Sequence, residues 1–157
     1  PMKRMTPLAV AVGAVPGALP VLIGAVAFDG KITSLALMLF NIQFLWQFVH
    51  FWAIAWLADE DYKNAGFYLL PSRNGEKDKT TGLMSMIFGV LLIASSVTGY
   101  YMGYTGLLAS LFLVVLNGYW TFNCWKLYQE CSREAARRQM FTSFAHLPLT
   151  LLAFLVG

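Results

Sequence analysis

The chain has 157 residues, 58% of them hydrophobic and 12% charged, with a formal net charge of +3. That is about half the charged share of an ordinary soluble domain, too little polar surface for a chain that covers itself in water. The basic residues sit at the edges of apolar runs and are mixed with acids, which does not indicate nucleic acid as a partner.

Four stretches contain no Asp, Glu, Lys or Arg: residues 5–28, 32–58, 80–125 and 139–157. A helix crosses the hydrocarbon core of a bilayer with about 20 residues, so the third stretch holds two crossings. The expectation is an all-α, polytopic membrane helix bundle embedded in the lipid bilayer. Its five spans lie at about 5–28, 32–58, 80–100, 106–125 and 139–157, with a loop over 59–79. The whole of 1–157 reads as one transmembrane domain fragment, because the chain opens on Pro1 and not on Met. A signal peptide explains the first run poorly, since no A-x-A-like cleavage site follows it and further apolar spans do.

Five crossings put Lys3, Arg4, Lys63, Arg73, Lys77, Lys79, Lys126, Arg133, Arg137 and Arg138 on one side, and Lys31 alone on the other. By the positive-inside rule the ten-residue side is the cytoplasmic or matrix side.

The first span carries Pro7, Pro16 and Pro20 with Gly13, Gly17 and Gly24. Interior prolines free backbone groups that neighbouring helices or a cavity must satisfy. Phe28 to Lys31 then reads as a tight turn. In the second span, a 100° step per residue places Gln43, Gln47, His50, Leu57 and Asp61 within about 40° of one line. Polar side chains of a membrane helix face the protein interior or a cavity. A helix continuing as far as Asp61 would therefore point Asp61 inward, turn Asp59 away and leave Glu60 at the edge of the same mouth.

In the loop that follows, Phe67 to Leu70 reads as an apolar segment packing back on the bundle, and residues 72–79 as a solvated turn whose alternating charges fill surface. Tyr100, Tyr101 and Tyr104, between the third and fourth spans, read as an interfacial aromatic belt. The fourth span is expected to run on through KLYQECSREAARRQM into a basic patch outside the membrane. Along that helix Cys124 and Cys131 would stand about 10 Å apart, too far for a disulfide. The last span contains His146 and Pro148.

Asp59, Glu60 and Asp61 end the second span. Carboxylates that hold Mg²⁺ keep waters on the ion and share it with substrate phosphates, and such a site stabilises charge building on a departing diphosphate. The plain alternative is an acidic helix end in water.

The stretch WQFVHFWAIAW followed by EDYKNAGFYLLP resembles the W-Q-x-x-H-F…W…[ED]-D-Y-x-x-A-G-x-x-x-L-P signature of the haem O synthases, the protohaem IX farnesyltransferases among the UbiA-type intramembrane prenyltransferases. KRMTPLAVAVGAVPGALPVLIG is similar to the K-R-x-T-P…G-A-x-x-G-A-x-P-x-x-I-G stretch of that family, and FTSFAHLPLTLLAFLVG more loosely to its final helix. The resemblance implies the later part of a bundle of about nine helices. It implies transfer of a farnesyl group from farnesyl diphosphate to a vinyl carbon of haem b, with haem A synthase as a partner. Carried over, Glu60 and Asp61 hold Mg²⁺ and diphosphate, and Tyr62 orients one of them. Lys63, Lys3 and Arg4 are candidate contacts to diphosphate or a haem propionate. His50, with Gln47 beside it, meets haem as ligand or propionate partner, or is an interior hydrogen-bonded histidine. Asp59 falls where the family is often basic and is not carried over, and His146 falls where the family more often has an aromatic residue and reads as packing. The family's first acidic run, N-x-x-x-D-x-x-x-D, has no counterpart before Asp29, so the chain alone is expected to be inactive. A prenyltransferase for another ring acceptor and a non-enzymatic scaffold or transporter segment are the competing readings.

Overall fold

A computed structural model describes residues 8–72 and 75–157. Among these residues the elements are all helices: α1 (Leu8–Asp29), α2 (Ser34–Leu57), α3 (Asp59–Asn64), α4 (Lys79–Tyr101), α5 (Leu107–Glu130) and α6 (Arg133–Val156). All but α3 are long and apolar enough to cross a membrane. The chain is an integral, multi-pass membrane protein, and its spans run up and down in sequence.

The boundaries follow local chemistry. The Thr33 hydroxyl accepts from the Ala36 amide and starts α2, Asp78 accepts from the Thr80 amide and starts α4, and Ser132 accepts from the Ala135 amide and starts α6. Each satisfies one of the amides that a helix N-terminus leaves open. The structure corrects the reading of KLYQECSREAARRQM as one helix end. Helix α5 stops at Glu130, Cys131 turns into the left-handed region at φ 45°, and α6 already begins at Arg133. The basic residues Arg133, Arg137 and Arg138 are thus the opening turns of the last helix, joined to α5 by Cys131 and Ser132 alone. Both cysteines are free, as expected.

Helix α2 is the hub. It packs on α1, α4 and α6, while α5 closes the ring by packing on α4 and α6. Helix α1 continues through Pro16 and Pro20 and packs on α2. The core is built from α2's Ile42, Leu45, Trp46 and Val49 with Leu92, Trp120 and Cys124. A second cluster near one end joins Ala55 and Trp56 to Leu70, Leu127, Ala135 and Ala136. The apolar loop segment therefore does fold back, with Leu70 fully buried.

Small residues draw α4 and α5 together. Gly82 lies against the main chain of Tyr128 and Gly89 against the Thr121 side chain, while Ser96 accepts from Asn117 Nδ2 at 2.8 Å. These α4 positions recur every seven residues, the spacing of a seam on which backbones approach closely. A Cβ on Gly82 would collide with backbone, whereas one on Gly118 would meet open space. We expect Gly82→Ala to destabilise the folded protein by about 1–3 kcal/mol and Gly118→Ala to be neutral or stabilising by a few tenths of that, read by reversible unfolding in mixed micelles.

A candidate active site at the end of α2

Helix α2 ends at Leu57 because Ala58 leaves helical geometry, at φ −106° and ψ 23°, while its amide still bonds Ile54 O. A new helix, α3, starts at Asp59 with all three acids in its first turn, where the helix dipole favours negative charge. The break changes which acid turns inward. Asp59 is buried and Glu60 and Asp61 are exposed, the reverse of the expectation for an unbroken helix. Asp59 Oδ2 sits 3.1 Å from Lys63 Nζ and 3.7 Å from Lys77 Nζ, and Lys63 Nζ donates to Glu76 Oε2 at 2.9 Å. The charges of Glu76 and Lys77 thus pin α3, and are more than surface filler. Ser72, buried, donates to Glu76 O at 2.6 Å and fixes that loop.

Glu60 and Asp61 make no ion pair among the described residues. Tyr62 is half-buried, its ring packed on the Trp56–Leu127–Ala136 cluster. No group of three His, Cys, Asp or Glu side chains able to enclose a metal occurs among the described residues. Two adjacent uncommitted carboxylates suit an ion that keeps several waters and takes further oxygens from a phosphate. They do not suit one caged by protein alone. Lys3 and Arg4 lie outside the described residues.

The polar line of α2 divides between two neighbours. Gln47 is buried, donates to Ala14 O of α1 at 3.4 Å, and fills the space that a side chain at Gly17 would need. His50, three residues on, pairs through Nδ1 with the Ser143 hydroxyl of α6 at 2.6 Å. Since α1 and α6 make no contact with each other among the described residues, this strip of α2 lies between them. Gln43 and Ile54 on it are half-buried and Phe51 beside it is exposed.

Sequence reasoning missed the partner surface on α6. Gln139, Ser143, His146 and Thr150 are all buried, at spacings of 4, 3 and 4 residues. Gln139 Nε2 donates to Val49 O at 3.0 Å and to Ser85 Oγ at 3.3 Å. His146 Nε2 pairs with Asn117 Oδ1 at 2.8 Å, and its ring lies 4.1 Å from that of Trp120. His146, read from sequence as packing, is thus the meeting point of α5 and α6. The available signal was the 4-3-4 spacing of the polar residues on α6.

Fold and site together define a polytopic membrane helix bundle with two exposed carboxylates at one end and buried polar side chains along α2. The comparisons specify the class. Residues 1–147 match the profile of the UbiA prenyltransferase family, and the chain belongs to that family. It is 40% identical, over 99% of its length and 54% of the relative's, to a protein of Cytophaga hutchinsonii named protoheme IX farnesyltransferase. Proteins of the same name from Flavobacterium johnsoniae and Solibacter usitatus are 41% and 37% identical, over 99% and 95% of this chain and 53% and 51% of theirs. The chain spans about half the length of the curated relatives it matches. No solved structure matches it.

The Lys63 cluster has a pH signature. Hydrogen bonding to Glu76 holds the Lys63 ammonium above the ordinary lysine value of 10.5, against desolvation and with further help from Asp59. A raised cation stabilises fully below the ordinary value and is lost as pH climbs through the raised one. A spin label at exposed Asn64 should therefore stay immobile up to about pH 10.5 and loosen above it. In Lys63→Gln it should be mobile at neutral pH, without the alkaline step.

Proposed function

We propose that this chain is the acidic-loop part of a haem O synthase, a single transmembrane unit of an enzyme that moves a farnesyl group from farnesyl diphosphate to a vinyl group of haem b. The observation that carries this reading is the match over 99% of the chain to relatives named protoheme IX farnesyltransferase. The exposed Glu60 and Asp61 add a site for the charged head of the donor.

In this reading Glu60 and Asp61 hold Mg²⁺ with the diphosphate. When bound, the ion supplies neutralisation of the charge that collects on the leaving diphosphate. The two carboxylates need little rearrangement to do so, because no lysine competes for them among the described residues. Tyr62, fixed by packing, orients a carboxylate or the diphosphate. Lys63 is drawn away by Asp59 and Glu76, so a role toward diphosphate requires it to leave both. Its first task is to hold α3. Gln47 and His50 line the path of the haem between α1 and α6, and Lys3 and Arg4 remain contacts proposed from the motif. Catalysis belongs to the complete protein and not to these residues alone, since the chain presents one acidic pair. The end bearing Lys63, Lys77, Lys79 and Lys126 faces the cytoplasm or matrix, in keeping with the positive-inside rule. A haem A synthase is the proposed next enzyme.

Mass analysis of haem extracted from membranes expressing the complete reading frame tests the proposal. The parent should yield a hydroxyfarnesylated haem, and Glu60→Gln and Asp61→Asn should each lower it by about 100-fold or more while the protein stays folded in the membrane. Unmodified haem b alone from a folded parent would redirect the reading to another ring acceptor. Full haem O yield in both variants would remove Glu60 and Asp61 from the diphosphate site, and a folded parent that modifies no ring acceptor would favour a scaffold.

A further inference from the structure

Two side chains of α2 converge on one residue of α6. Trp46 Nε1 donates to the main-chain oxygen of Ser143 at 3.2 Å, and His50 Nδ1 lies 2.6 Å from the Ser143 hydroxyl. The Trp46 and His50 rings stack, with centroids 4.6 Å apart and planes 13° from parallel. Ser143 itself is fully buried, so neither partner competes with solvent for it.

The direction of the His50 bond follows from counting hydrogens. The Ser143 hydroxyl has one proton, and it is donated to Met140 O one turn earlier in α6. Toward His50 the oxygen has only lone pairs left, so the hydrogen between the two belongs to His50 Nδ1. A neutral imidazole protonated at Nδ1 carries its lone pair on Nε2. That atom has no hydrogen-bond partner among the described residues and is not among the enclosed atoms lacking one. It therefore reaches the bundle surface, where the His50 ring is flanked by Phe51 and Phe144, both exposed. His50 stands seven residues before the end of α2, about 10 Å along the axis. An imidazole nitrogen at that depth marks a functional contact.

We propose that Ser143 is a positioning residue that fixes His50 as the Nδ1–H tautomer, so that Nε2 meets its ligand as an electron-pair donor. The identity of the ligand rests on the function proposed above. With haem b as the acceptor, the Nε2 lone pair ligates the iron; a propionate carboxylate, itself an acceptor of hydrogen bonds, finds no proton there. Trp46 holds the same residue from the main chain and keeps the imidazole plane from turning.

The test is ¹⁵N NMR of histidine-labelled complete protein without haem, with the His50 signals assigned by their loss in His50→Gln. The expected spectrum has Nδ1 protonated and Nε2 bare at neutral pH. Ser143→Ala should convert it to a mixture of tautomers, and Ser143→Thr, which restores the hydroxyl, should return it. Titration with haem b, followed by its Soret band, should show affinity falling about 10–100-fold in Ser143→Ala and largely recovering in Ser143→Thr. A parent with Nε2 protonated, or a Ser143→Ala spectrum unchanged from the parent, overturns the proposal. A tautomer that moves while haem affinity stays constant overturns the assignment of Nε2 as iron ligand. Failure of the functional reading is separable, since the parent would then make no haem O whatever its tautomer.

Discussion

Inside a bilayer a side chain that can hydrogen-bond has no water to turn to, and its partner must come from another helix. That constraint organises this bundle. Helix α2 sends Gln47 to the Ala14 carbonyl of α1, and Trp46 and His50 to Ser143 of α6. Its own Val49 carbonyl accepts from Gln139. Each bond ties α2 to a neighbour at one register. Lipid tails are as apolar as leucine, so apolar contact between helices distinguishes one register from another only through close packing. Here the polar bonds do that work on α1 and α6, and the glycine seam does it between α4 and α5.

At the membrane edge a different logic holds. Water is available, so charges are placed by local backbone geometry. The break at Ala58 starts a new helix, and that restart turns Asp59 toward Lys63 and Lys77 while leaving Glu60 and Asp61 outward. One acid of three is consumed in holding the other two. The site and the clamp are thus adjacent residues with opposite duties.

The spans, the fold class and the folding back of the Phe67–Leu70 segment were legible in the sequence, because uncharged runs of sufficient length have few alternatives in water or lipid. The roles of the acids were less legible. Reading Asp61 as inward assumed an unbroken helix, and no proline or glycine marks the break at Ala58. The start of α6 was placed late for a related reason. Hydropathy follows the membrane, whereas the helix begins where Ser132 caps it and Cys131 takes a left-handed turn. The polar seam of Gln139, Ser143, His146 and Thr150 was written in its spacing, yet only the packing of α6 on α2, α4 and α5 shows that those side chains face inward.

The short connection between α5 and α6 bears on how the polar groups of the last helix are satisfied. Helix α6 opens on three arginines and carries four polar side chains along one face, and those side chains would find no partner if the helix met lipid alone. With Cys131 and Ser132 as the whole turn, α6 is tethered antiparallel to α5, whose Asn117 is within reach of His146. The two helices form a hairpin in which a polar side chain of one has its partner on the other.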